Sequence, residues 1–130
     1  MSQLQQTAIV PLLSVRRGAA AVEFYQRAFG AVERFRIDND KGEIVAQLAI
    51  DGAGFWVADE SPPHANFSPE TLGGSTVRML LIVEDPDAMF ARAVAAGATA
   101  VSAVATRHGW RVGRVVDAFG HHWEIGRKVE

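Results

Sequence analysis

The 130-residue chain has no cysteine. That excludes disulfides, thiolate metal sites and cysteine nucleophiles, and it fits a protein that works in the reducing cytoplasm. No charge of either sign dominates: 13 Lys and Arg stand against 15 Asp and Glu, for a net charge of −2. Such a balance lacks the electrostatic footprint of a nucleic-acid partner. No apolar run is long enough to cross a bilayer, so no membrane partner is expected. The opening MSQLQQTAIV lacks the basic and long apolar regions of a secretory signal. A phosphate loop is missing too, since LGGS is not followed by a lysine opening a helix. There is no G-x-S-x-G elbow. What is present is an ordinary globular mixture, 48% hydrophobic and 22% charged, enough for one domain with its own core.

The chain repeats itself. VPLLSVRRGAAAVEFYQRAFGA in the first half and VRMLLIVEDPDAMFARAVAAGA in the second each read as a strand, a polar turn and an amphipathic helix ending at glycine. In the first, Val22, Tyr25 and Phe29 recur at helical spacing and Gly30 suits the left-handed position after the helix. In the second, Asp85 caps, Pro86 suits the first turn, Phe90 and Val94 share a face, and Gly97 ends the helix. Three strand-like pieces follow each helix: AVERFRID, EIVAQLAID and GAGFWVAD, then ATAVSAV, RVGRVVDA and HHWEIGR. NDKG and DG mark turns between the first three. One offset of 68 residues relates Val10 to Arg78 and Trp56 to Glu124. The expected fold is α+β: two βαβββ modules forming a half-open barrel with a cavity. Module one spans about 7–59, a linker about 60–74 and module two about 75–127, all within a single domain over 1–130. ESPPHANFSPETLGG reads as a linker or mobile loop.

The segments FYQRAFGA, VEDPDAMFARAVAAGA and DAFGHHWEI resemble the glyoxalase/bleomycin-resistance proteins of the vicinal oxygen chelate superfamily. The likeness runs from about Ile9 to Gly126, and WRVGRVVDAFGHHW resembles the PhnB-like branch. It implies paired βαβββ modules, a homodimer and, in metal-dependent members, four ligands lining the cavity, two from each module. Carried over, those positions fall on Val10, Trp56, Arg78 and Glu124. Valine offers no lone pair, the tryptophan indole only donates and arginine stays protonated, so Glu124 alone matches the pattern. A catalytic metal wants three or four protein ligands, and no metal or other cofactor is expected. His122, two residues before Glu124, falls on the same strand face. It brings the count to two. Arg78 and Glu124 form instead a natural ion pair in the metal's place, either a structural bridge or one that a ligand opens. In the second case Arg78 meets a carboxylate or phosphate and Glu124 is the candidate general base.

If Trp56 faces the cavity, Phe55 and Trp123 face the helices and belong to the core. Trp56 is then a stacking wall for a planar ligand, or fills the space a metal would use. Trp110 in RHGWRVG reads as a loop residue that closes over a ligand near Arg111, or as a surface aromatic with a stacked arginine. Gln47 is a further candidate for the cavity, His64 reads as a solvated loop residue, and Arg16 and Arg17 as a solvated turn. The expected ligand-binding set is Val10, Leu12, Trp56, Arg78, Trp110, His122 and Glu124. The expected function is a small-molecule-binding protein of the glyoxalase/bleomycin-resistance type without a catalytic metal. The alternative is a glyoxalase-like lyase, isomerase or transferase with a non-standard site using Glu124, so whether the chain is an enzyme stays open.

Overall fold

A computed structural model describes residues 4–130. The element order is β1 (Leu12–Val15), α1 (Gly18–Phe29), β2 (Val32–Asp38), β3 (Ile44–Ile50) and β4 (Ala53–Asp59). Then come the short helix α2 (Pro69–Leu72), β5 (Arg78–Ile82), α3 (Pro86–Ala96), β6 (Thr99–Arg107), β7 (Trp110–Val116) and β8 (His122–Lys128). The strands form two four-stranded sheets of identical topology, β1-β4-β3-β2 and β5-β8-β7-β6. In each, the first strand runs parallel to the last and the other pairs are antiparallel. The expected two-module α+β architecture is the observed one, and neither sheet closes into a barrel.

Local chemistry explains where the elements start and stop. Gly30 ends α1 with φ 69°, a left-handed value that costs glycine nothing. Asp85 caps α3 by accepting from the Ala88 amide at 3.1 Å, and Pro86 occupies the first turn. The α1 N-terminus has no cap of its own. Asp59, at the end of β4, accepts there from the Gly18 amide at 3.0 Å and also from the Ile44 amide at 2.7 Å. One carboxylate thus ties a helix to two strands. Asp51-Gly52 and His108-Gly109 join β3 to β4 and β6 to β7, with positive φ at both residues of each pair. That is the type I′ geometry whose twist matches the flanking strands.

The segment between the modules is built rather than loose. Residues 62–64 make a 3-10 turn, Ser61 bridges Asn66, and Ser68 caps α2. Glu60 accepts from the Ser68 amide at 2.8 Å and from the Thr71 hydroxyl, which holds its carboxyl below the ordinary range. Arg16 donates to Thr71, and Arg17 lies 5.0 Å from the Phe119 ring centroid. The two arginines therefore stitch the segment and the final turn to α1, while remaining partly solvated.

The helix-facing sides of both sheets share one core with α1 and α3. Phe55 of module one and Trp123 of module two are both buried, as expected, and their rings meet edge to face at 5.6 Å. Trp123 also packs on Tyr25 and Phe29 of α1. Arg92 of α3 donates to the Arg27 carbonyl at 2.8 Å, satisfying an orphan acceptor at the end of α1 across the module boundary. The modules therefore stand back to back, and the opposite sides of their sheets point outward, away from one another.

Beneath Trp123 lies Asp117, 5% exposed. Its carboxylate accepts from the Tyr25 hydroxyl (2.6 Å), the Trp123 indole (2.9 Å) and the amides of Phe119 (2.9 Å) and His121 (3.0 Å). No cation accompanies it among the described residues, so these four donors take the place of water. Burial first, then the Asp117 charge, pushes the Tyr25 hydroxyl well above its ordinary range, so it stays a donor. Removing the carboxylate leaves several donors unpaired at about 1–3 kcal/mol each, whereas removing the tyrosine hydroxyl leaves an acceptor that keeps three partners. Asp117→Ala is expected to cost stability clearly more than Tyr25→Phe, whose loss is about 1–2 kcal/mol. Midpoints of chemical denaturation check the order, and equal losses would contradict this account of the core.

Candidate functional site

Strand pairing puts side chains of partner residues on the same side of a sheet. On the outward face of the first sheet one row runs Leu12, Trp56, Gln47, Phe35 across β1, β4, β3 and β2. Trp56 and Phe35 meet edge to face at 5.9 Å. Leu12 is 59% exposed and Phe35 45%. Ile37 and Val45 are exposed large apolar residues of the same face. Gln47 thus joins Trp56, which the pattern alone left undecided.

The matching row on the second sheet runs Leu80, Glu124, Arg114, Ser102. The 68-residue offset holds through Leu12 to Leu80 and Trp56 to Glu124, so the repeat is structural as well as sequential. The next row pairs Arg78 with His122. Two polar contacts link the rows. Arg78 donates through Nε to Glu124 Oε2 at 2.9 Å, and Arg114 donates through Nε to His122 Nδ1 at 3.1 Å. A ring nitrogen that accepts carries no proton, so the imidazole is the neutral form protonated at Nε2. Its pKa is lowered by burial first, then by the Arg114 and Arg78 charges. The Glu124 side chain is 32% exposed. Bound to Arg78, it has one oxygen committed.

The two histidines of the final turn have different fates. His121 points inward and its Nε2 lies 3.0 Å from the Ser14 carbonyl oxygen, while His122 lies on the outward face. Trp110 opens β7 at the far end of that face, opposite Lys128, rather than sitting in a loop. Neighbouring Arg111 is taken by Asp87 of α3 through two hydrogen bonds of 2.7 and 2.6 Å. Val10 precedes β1 and, with Leu12, lines an apolar hollow of about 420 Å³ that also holds Phe67, Leu72 and Met79. A wider groove of about 1110 Å³ runs between Ile50, Leu80 and Met89. Neither hollow is lined by Trp56, Arg78, Trp110, His122 or Glu124. Within one chain the two outward faces do not share a concavity, because the common core lies between them. Sequence reasoning missed Arg114. Its partner Glu124 was in view, and the pairing follows once the turn 117–121 fixes which residues of β7 and β8 face each other.

The four positions that the sequence resemblance assigns to metal ligands carry valine, tryptophan, arginine and one glutamate, and that glutamate is bonded to the arginine. Among the described residues no three His, Asp or Glu side chains come together with the spacing of a metal site. This donor set does not fit a divalent metal.

Known proteins resemble this chain over most of its length. The sequence model of the Glyoxalase/Bleomycin resistance protein/Dioxygenase superfamily matches residues 4–125. An uncharacterized protein of Mycobacterium bovis is 40% identical over 129 residues, covering 95% of this chain and 85% of its own length. The crystal structure of an Arabidopsis thaliana gene product matches with 33% identity and a TM-score of 0.68 over 94% of this chain and 98% of its own. TioX from a Micromonospora species matches with 28% identity and a TM-score of 0.71 over 95% and 99%. The fosfomycin resistance protein FosX of Listeria monocytogenes shares the fold, with a TM-score of 0.73 over 96% and 95% but only 14% identity.

His122 is expected to titrate below the ordinary histidine value of about 6.5. Its pKa is lower folded than unfolded, so the unfolded chain takes the proton first, and stability present above about pH 6.5 declines as pH falls. Arg114→Gln removes part of the cause, raises the His122 pKa and lessens that decline. Imidazole proton shifts followed by NMR measure it, and an unmoved titration would show that Arg114 does not act on the ring.

Proposed function

The chain belongs to the Glyoxalase/Bleomycin resistance protein/Dioxygenase superfamily, and we propose that it is a small-molecule-binding protein of that superfamily working without a catalytic metal. The observation that carries the reading is the outward-facing row Leu12, Trp56, Gln47, Phe35, exposed at Leu12 and Phe35 and half-buried at Trp56 and Gln47. A wall of one indole and one phenyl ring in edge contact, with an amide between them, suits a planar apolar ligand with a hydrogen-bonding edge. Large apolar side chains left open on a sheet face need cover. On this reading the cover is a second copy of the chain. Two copies place the apolar face of one module one opposite the polar face of the partner's module two, and the ligand lies between them. Leu80 and Ile82, both more than half exposed beside the polar cluster, supply apolar contacts at its rim.

Three predictions test this. Protein purified without chelators is expected to hold far less than one metal ion per chain by elemental analysis. Near-stoichiometric metal that is lost in Glu124→Ala would overturn the metal-free reading. Sedimentation is expected to give a dimer at micromolar concentration, and a monomer would remove the cover. A neutral aromatic probe such as benzamide is expected to quench tryptophan fluorescence saturably, and Trp56→Ala to weaken its binding several-fold, up to about tenfold. Unchanged affinity in that variant would move the ligand elsewhere.

A further inference from the structure

We propose that the outward face of module two binds the oxyanion of a ligand, a carboxylate or a phosphoryl group, on the guanidinium groups of Arg78 and Arg114, with Glu124 as the internal anion it competes against. The proposal rests on the reading that the outward faces hold a small molecule, and it names that molecule's chemical class.

Arg78 on β5 and Arg114 on β7 stand on either side of β8, one strand away from it in each direction. Strands are about 4.8 Å apart, so the two Cα atoms flank β8 across roughly 10 Å, a span two long side chains close easily. Both side chains converge on β8: Arg78 reaches Glu124 and Arg114 reaches His122. Each does so through Nε alone. Among the described residues no hydrogen bond uses a terminal nitrogen of either guanidinium. Arg111 shows the contrast: Nε and one terminal nitrogen grip both oxygens of Asp87, and the other terminal nitrogen meets Thr106. Arg78 and Arg114 are held by one edge with the rest of the fork unused, the arrangement that receives a planar or tetrahedral oxyanion.

Charge points the same way. The cluster holds two guanidinium cations and one carboxylate, and His122 is held neutral by burial and by its arginine neighbours. The surplus is one positive charge, in a chain whose net charge is −2. The Asp117 charge reaches His122 through the sheet and raises its pKa against the two arginines, but its oxygens are held on the core side by Tyr25, Trp123 and two amides and are not offered to the outward face. Where a second copy brings the apolar face of its module one opposite this cluster, a surplus cation favours a ligand with an anionic end and a flat apolar body.

The test uses the 130-residue chain and four probes: benzoate, phenylphosphonate, neutral benzamide and inorganic phosphate, titrated by calorimetry at pH 7.5 and low salt. Benzoate or phenylphosphonate is expected to bind at least about tenfold tighter than benzamide, and the tighter of the two identifies the oxyanion as carboxylate or phosphoryl. Arg114→Gln and Arg78→Gln are expected to abolish that preference, and Arg114→Lys to restore part of it, since charge returns without the fork. Glu124→Gln is expected to strengthen anion binding, a sign that no structural role of the ion pair predicts. Circular dichroism and melting temperature establish that each variant is folded. Equal binding of benzoate, phenylphosphonate and benzamide overturns the oxyanion inference and leaves the small-molecule reading intact. Phosphate binding that requires both arginines, with no aromatic probe bound, supports the oxyanion site and removes the aromatic cavity. An anion preference that survives Arg114→Gln and Arg78→Gln, or the absence of any binding, overturns the inference.

Discussion

A carboxylate buried with no cation beside it among the described residues governs this fold. Asp117 draws its four donors from three places: the middle of α1, the turn after β7 and the strand β8. A buried charge held this way tolerates little displacement, because each lost donor leaves either the charge or the donor unsolvated. The network thereby fixes the phase of β8. With the His121 amide and the Trp123 indole both bound to one carboxylate, Trp123 points into the core, and His122 and Glu124 on either side of it point out. A slip of one residue would bury Glu124 and expose the tryptophan. The polar cluster on module two is thus set by a contact on the opposite side of the sheet.

Much of the architecture was legible because it is local. Strand lengths, helix ends at Gly30 and Gly97, the Asp85 cap and the Asp51-Gly52 turn each depend on a few adjacent residues. The repeat was legible because one offset served two distant pairs of positions, and the pairing of Leu12 with Trp56 and Leu80 with Glu124 gives it physical form. Alternation also assigned Phe55 and Trp123 to the core.

What escaped the sequence depends on contacts between elements. Arg114 sits in an unremarkable strand and gains meaning only opposite Glu124 and beside His122. Arg111 lies near a tryptophan in sequence, yet its partner is Asp87, 24 residues away on α3. Asp117 stood inside a segment that carried the family likeness, but the four donors come together only once α1 crosses beneath the sheet. The back-to-back stance of the modules is of the same kind. It rests on Trp123 meeting Phe29 and Phe55, and nothing in strand or helix periodicity encodes which module those rings belong to.

The shared core has a consequence for how such a chain changes over generations. It insulates the two outward faces, since a tightly packed aromatic layer and two helices lie between Trp56 and Glu124. Within one chain, replacing a side chain on one face leaves the other without a direct neighbour to disturb, and effects on well-separated sites add. Two halves built to one plan are therefore free to drift toward unlike chemistry, one greasy and one charged, while the interior that neither can alter keeps them the same shape.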